Sequence, residues 1–509
     1  MDSSKEIKIG AVLSYLQMGL GVLISLFYTP LMIKTLGQNE YGLYNTVAST
    51  ISMLSILNLG FNSSYIRYYS KYKKNNDSDG ISKLNGLFLL IFIIIGIVAF
   101  LCGLFLTENL RLIFDKGLTV SEYKTAKILM FLLTVNLSVS FPMTVFTNII
   151  TANEKFVFLK TLLIFKTVFS PFLTIPLLLK GMGSVSIVIV TLVVSVMVDA
   201  AYLIYCLTKL RVKFVFRHFE KGLFKDIFVF TSFLAINIVV DQVNLNIDKV
   251  LLGRFKGTEI VAIYSVGQTL YVYFQMFSTS VSSLFIPRVH KIVNAYSGQE
   301  QKYRLTELFV KVGRIQFLIL SLICTGIVFF GKSFIVNYWA GSGYSDAYYV
   351  LLLLVIPSMI ALTQNIGIEI QRAENNHRFR SLAYLIMASV NFGISIVLCQ
   401  KYGAIGSAVG TAISLVLANG IIMNIFYQKK CNVDVLVYWR NILKMCLGLF
   451  IPVVFGCMIL IFVDTAKIIN FAVFIIIYIF VYSFSMWFLA MTQNEKQLVI
   501  GFVKKCLGR

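Results

Sequence analysis

Four polar residues stand at one helical spacing inside an otherwise apolar stretch: Asn237, Asp241, Asn244 and Asp248, at i, i+4, i+7 and i+11. On an α-helix that spacing falls along one narrow face. Amides and carboxylates on such a face can hold water or exchange hydrogen bonds with a polar ligand, and in hydrocarbon they are costly unless they meet protein or water. Comparable faces occur in three other stretches: Ser14, Gln17, Gly21, Ser25 and Tyr28; Ser55, Asn58 and Asn62; and Gln268, Tyr271, Gln275, Ser278 and Ser282. Bonding between packed helices accounts for a single Ser or Asn. Four faces in matching register argue for a shared aqueous cavity.

Ionisable side chains add a second set: Arg67, Lys166, Asp199, Asp241, Asp248, Lys249 and Glu369, with Arg254 just beyond a stretch. Arg67, Asp248, Lys249, Arg254 and Glu369 are close enough to an end to snorkel into water. Lys166, Asp199 and Asp241 lie about two or more turns from any end and need a partner or a purpose. Lys166 can pair with Asp199 on the next stretch as structural glue.

The elements that carry these residues are apolar stretches, about fourteen in number and each long enough to cross a bilayer. They run roughly over 9–33, 42–66, 84–107, 127–150, 157–179, 184–208, 226–252, 259–285, 308–331, 347–370, 381–400, 404–427, 441–463 and 467–490. The chain of 509 residues is 58% hydrophobic and 13% charged, with a mean hydropathy of +0.82, so it leaves no room for a soluble domain of ordinary size. An all-α polytopic membrane protein is the fold class this composition requires.

A net charge of +22 raises the question of nucleic acid. The Lys and Arg residues answer it by alternating across the loops: with both termini in the cytoplasm, about 32 of the 45 fall inside and about 12 outside. The clusters Arg67–Lys74, Lys209–Lys225 and Arg288–Arg314 are all on the inner side. A basic face against anionic lipid explains the charge, and nucleic acid is not needed. Eight cysteines are scattered without paired spacing and read as apolar fillers. The polar first residues lead into a span with no small-residue cleavage site, so the first span is expected to be retained.

Catalytic machinery is hard to find. Gly326 to Ser333 fits the pattern G-x-x-x-x-G-K-S, but its interior is Ile-Val-Phe-Phe at the end of a span, where no phosphate-cradling loop can form. His218, His290 and His377 lack metal-ligand spacing. A membrane-embedded glycan polymerase or ligase would need an acidic site on a substantial outer loop. The longest such loop, with Glu108, Asp115 and Glu122, is short. No cofactor or metal is expected.

A repeat of about 220 residues organises the chain. LGQNEYGLYN after the first span resembles LGRFKGTEIVAIYSVG after the seventh, pairing Tyr44 with Tyr264, and Lys180-Gly181 corresponds to Tyr402-Gly403. The same offset superimposes Gln17 on Asn237 and Tyr28 on Asp248. An even number of spans per unit makes the repeat parallel, about an axis along the membrane normal. The expected lobes are 1–220 and 221–435, six spans each, with two further spans and a tail in 436–509. Two lobes that can rock around a site are a transporter's plan.

Three segments carry a resemblance to a known family: IKTLGQNEYGLYN, NLNIDKVLLGRFKGTEIVAIYSVGQTL and KYGAIGSAVGTAIS. In their order and spacing, over nearly the whole chain, the protein resembles the Wzx-like polysaccharide flippases of the multidrug/oligosaccharidyl-lipid/polysaccharide (MOP) exporter superfamily. The pair Asp248-Lys249, followed by Leu252-Gly253 and Tyr264, looks like a mark of the polysaccharide branch. The resemblance implies a multi-pass protein of the bacterial cytoplasmic membrane, monomeric, that moves an undecaprenyl-diphosphate-linked oligosaccharide between leaflets by alternating access. Membrane lipids, glycosyltransferases and a polysaccharide polymerase are its implied neighbours.

On that reading Gln17, Tyr28, Asn58, Asn62, Asn237, Asn244, Asp248, Gln268 and Gln275 line the substrate cavity, and Arg67, Lys166, Lys249 and Arg254 supply cations for the diphosphate. The lipid II branch of the family places arginines in its first helix; this chain has none there, which speaks against lipid II itself. Without a nucleotide site, energy must come from an ion gradient or from substrate supply, with Asp199, Asp241 and Glu369 as the groups for Na+ or H+. Two alternatives remain open: an ion-coupled exporter of drugs or organic cations from the same superfamily, and the polymerase or ligase.

Overall fold

The computed structural model describes residues 3–114, 118–217, 221–374 and 377–506. Asp115 and His218 lie outside the described residues, as do the side chains of His377 and Cys506. Among the described residues every regular element is a helix, and twelve are long and apolar enough to cross a membrane. Lys8–Lys74 and Phe379–Lys430 each hold two of the expected spans, so the fourteen expected spans fall within twelve helical runs, two of them kinked. The reason is local. At Gly37 (φ 73°, ψ 173°) and Gly403 (φ 58°, ψ −134°) one non-helical residue redirects the chain, a backbone open to glycine because it has no Cβ.

The chain divides into two compact units, one of residues 1–265 with 396–403, the other of 266–395 with 404–509. The first contains α1 (Ser3–Met53), α2 (Phe61–Lys74), α3 (Ser78–Glu108), α4 (Val120–Ala152), α5 (Phe156–Leu179), α6 (Gly183–Thr208), α7 (Lys221–Phe255) and the start of α8 (Thr258–Ser283). Here α1 is the central element, packed on α4, α5, α6 and α7. Between α1 and α2 a 3-10 turn, Leu54–Asn58, ends at Leu59 and Gly60, both with positive φ. The aromatic core of this unit, Phe61, Tyr65, Phe88 and Phe92, packs edge to face. The N-termini of α3 and α4 are capped, by Asp77 and by a Thr119/Glu122 capping box.

The second unit holds the rest of α8, then α9 (Ile286–Ala295), α10 (Gly298–Ser333), α11 (Ser345–Thr363), α12 (Ile366–Ala373), α13 (His377–Leu415, which lends 396–403 to the first unit), α14 (Met423–Lys430), α15 (Val435–Cys446), α16 (Phe450–Phe462), α17 (Ile468–Leu489) and α18 (Gln493–Cys506). Its centre is α10, in contact with α9, α11, α12, α15, α16 and α17. At 36 residues α10 is about 54 Å long, well beyond the roughly 30 Å of hydrocarbon, so its first turns stand in the interfacial layer. Large apolar side chains on the outside, such as Phe450, Phe462, Phe480 and Phe484, are exposed as a lipid solvent demands.

Candidate functional site: polar groups inside the helical bundle

Helix α1 runs beside α5 in a parallel register. A Cβ on Gly10 would strike Phe156, and one on Gly21 would touch Thr167. The same offset brings Tyr28 beside Thr174. Lys166 therefore stands at the depth of Gly21, mid-way along the α1 polar face, where Gln17 and Tyr28 are both half-buried. On α6, which packs on α5, Asp199 is half-buried within electrostatic reach of Lys166. The two charges make no direct ion pair within 4.0 Å, so the direct pairing expected for them is not what the structure has. A cation and a carboxylate thus stand beside the middle of the α1 polar face, with the Gln17 amide about one turn to one side and the Tyr28 phenol about two turns to the other, an arrangement able to hold an anion and exchange a proton near it.

The polar face of α7 is uneven. Asn237 and Asn244 are half-buried, Asp241 is exposed, and Asp248 is buried at 1% exposure. The Asp248 carboxylate accepts a 2.7 Å hydrogen bond from the buried Tyr264 hydroxyl at the start of α8. Lys249, next to it, is half-buried, and Arg254 is exposed and donates to the Leu112 carbonyl at 3.2 Å. On α2, Arg67 is exposed, its guanidinium 4.4 Å over the ring of Phe230 in α7. Asn62 accepts from Asn148 of α4 at 3.0 Å. Asn58, in the 3-10 turn, has a buried Oδ1 with no partner.

The two segments that mark the repeat and the family resemblance pack against each other. Gln38 donates to the Glu259 carbonyl at 3.4 Å, a Cβ on Gly42 would sit 1.8 Å from the Thr258 carbonyl oxygen, and Thr46 packs on Gly253. Glu40 accepts from the backbone amide and hydroxyl of Ser184, at 2.6 and 2.7 Å, and so caps α6. Sequence reasoning passed over Glu40 and Asn148. Neither has a signal in the sequence, because their partners are 144 and 86 positions away.

In the second unit the polar residues bond chiefly to each other. Gln275 donates to Tyr271 at 2.8 Å, and Gln268 is buried. Ser278 joins the Leu362 carbonyl, Gln316 and Asn365. Where α11 breaks into α12, Gln364 donates to Asn424, which also accepts from Trp439. Glu369 is half-buried and paired with Arg372 at 2.7 Å. This network of short side-chain bonds stitches α8, α10, the break between α11 and α12, α14 and α15. The segment Gly326 to Ser333 is helical within α10, its amides committed to the helix, and Ser333 donates to the Thr465 carbonyl.

This all-helical architecture is shared with transporters of the MOP superfamily. A lipid II flippase, MurJ, in an inward closed conformation aligns over 98% of this chain and 100% of its own, with a TM-score of 0.66 and 16% identity. An inward-facing multidrug resistance MATE transporter of the MOP superfamily aligns over 82% and 99%, at 0.59 and 15%. A MOP superfamily transporter from Pyrococcus furiosus aligns over 83% and 96%, at 0.56 and 15%. The chain itself belongs to the family described as polysaccharide biosynthesis protein, whose model matches residues 10–293, more than half its length. No curated protein matches it by sequence.

Proposed function

We propose that the protein is a flippase that carries a polyprenyl-diphosphate-linked oligosaccharide across the bacterial cytoplasmic membrane, by alternating access, for surface polysaccharide synthesis. The observation that carries this reading is Lys166, within electrostatic reach of Asp199, standing beside the middle of the α1 polar face that runs from Gln17 to Tyr28 inside an otherwise apolar bundle. Sugars need amide and hydroxyl partners and a diphosphate needs a cation. Membership of the polysaccharide biosynthesis family supports the cargo class, and likeness to a lipid II flippase over the full length supports the fold required. In this reading the termini are cytoplasmic, and Asp199 and Asp241 are the groups through which Na+ or H+ drives the cycle. Glu369, already carrying a counter-charge on Arg372, ranks behind them.

Likeness to a MATE transporter keeps drug or organic-cation export as the second reading. One experiment separates the two. A strain lacking its own flippase is complemented with the wild type and with Lys166→Ala, and surface glycan and the leaflet position of the lipid-linked precursor are followed. Restored glycan with the wild type, and a drop of about tenfold or more with Lys166→Ala at equal membrane amounts, is expected for loss of a charge-assisted contact. No restoration, together with efflux of a toxic cation, would move the assignment to the exporter.

A further inference from the structure

At the end of the second unit where α8 stops and α10 begins, the short helix α9 lies across the chain's path. It is amphipathic: Val289 is fully buried in the core with Ile292 and Val293 packed against it, while Arg288, His290 and Lys291 point outward. The first turns of α10 rise beside it, outside the hydrocarbon. Between the two helices is a concavity of about 290 Å³ lined by Arg288, Lys291, Tyr296, Arg304, Glu307 and Lys311, with Ile292 and Leu308 as its apolar floor.

The charge balance there is lopsided. Four cations face one carboxylate, and only Arg304 is in an ion pair, with Glu300 at 2.8 Å, its guanidinium also 4.1 Å over the Tyr296 ring. Arg288, Lys291 and Lys311 have no acidic partner within 4.0 Å among the described residues. Convergent, unpaired cations above an apolar floor match the chemistry of a phosphate group attached to something small. The volume is at the low end for ligand sites, enough for a headgroup. The depth is also that of lipid phosphates, since α9 has the amphipathic pattern of a helix lying in the interface.

We propose that the cavity between α9 and the start of α10 is a binding site for a phosphate group, presented by an anionic lipid headgroup or as free phosphate. It is separate from the transported cargo, and it stands or falls independently of the flippase reading. The test uses the full chain in detergent, titrated with short-chain phosphatidylglycerol, with diacylglycerol of the same chain length, and with inorganic phosphate. Bound lipid is counted by native mass spectrometry and bound phosphate by phosphorus NMR.

Wild type should retain phosphatidylglycerol in preference to diacylglycerol. Removing one cation, as in Lys291→Gln, should weaken binding about fivefold, and Arg288→Gln with Lys291→Gln and Lys311→Gln about a hundredfold. A matched control, Lys71→Gln with Lys74→Gln and Lys209→Gln, should bind as the wild type does. Phosphatidylglycerol binding without phosphate binding assigns the lipid as the source; binding of both assigns the shared group. The proposal is overturned if the triple variant binds normally, if the control loses as much, or if the two lipids bind alike. The exposed single variant Lys291→Gln serves where the triple variant unfolds.

Discussion

Arg314 and Glu495 form a bidentate ion pair: Nε and an Nη nitrogen meet the two carboxylate oxygens at 2.6 and 2.8 Å, and the same guanidinium reaches the Ala490 carbonyl at 2.8 Å. Both side chains are less than a tenth exposed. Removing one partner strands the other, so Arg314→Ala should destabilise by about 3–5 kcal/mol, while Arg314→Met with Glu495→Leu should recover much of it. Thermal unfolding in detergent checks both. Burial raises the Glu495 pKa, but the Arg314 bond and the Thr492 amide outweigh it and hold the carboxyl below the usual 4.5. A carboxyl held low contributes stability that is complete above its unfolded value and fades as pH falls through the folded one. Wild type should therefore lose thermal stability relative to the Met/Leu variant only below about pH 4.5.

Asp248 has two roles to tell apart. Its place in an apolar stretch and beside Lys249 reads as a ligand for cargo, and the fold gives it a buried partner in Tyr264. Asp248→Ala should cost about 1–3 kcal/mol by leaving that hydroxyl short of an acceptor, and Asp248→Asn should cost less because it still accepts. If Asp248→Asn reaches the membrane in normal amount yet abolishes glycan output, the carboxylate acts on cargo or ions as well. The polar faces were legible because hydrocarbon tolerates few such groups. Their partners were not, because Asn62 finds Asn148 and Glu40 finds Ser184 only after the helices have packed.

At the level of elements, hydropathy located the crossings and missed how they are joined. The polar residues 34–41 read as a loop, yet they are helical on both sides of Gly37, since a turn of one residue needs only one permissive backbone position. Nothing lies within 4 Å of a Cβ at Gly37, so Gly37→Ala probes backbone strain alone and should cost about 1–3 kcal/mol. Gly42→Ala is a different case. Its Cβ would overlap the Thr258 backbone, which cannot move aside as a side chain can, and the variant should fail to accumulate in the membrane. Comparing the two by membrane yield and unfolding midpoint separates strain from collision. The short helices α9, α12 and α18 escaped the sequence reading because amphipathic segments of 8 to 14 residues do not register in a window sized for a bilayer.

On the scale of the whole molecule, the 220-residue repeat returns at its turning points. Gly37 and Gly257 correspond in the repeat, as do Gly181 and Gly403, and all four have positive φ, from 58° to 92°. Backbone geometry of that kind is repeated where chain reversals are repeated. Alanine at Gly181 or Gly257, where a Cβ meets nothing within 4 Å, should each lower the unfolding midpoint by a similar amount, about 1 °C for about 1 kcal/mol of αL strain in a chain of this size.

The one-residue joints at Gly37 and Gly403 also govern where foreign sequence can enter. An epitope or protease site placed there must break helix on both sides at once, so it will report misfolding and not sidedness. The coil between Lys209 and Arg217 is no better, since the Val215 amide donates to the Ser82 carbonyl and the Lys213 carbonyl accepts from Asn85. Asn75 to Asp77, by contrast, turns the chain between two helix ends, and a tag inserted there is the one whose accessibility can reveal which side of the membrane that connection occupies.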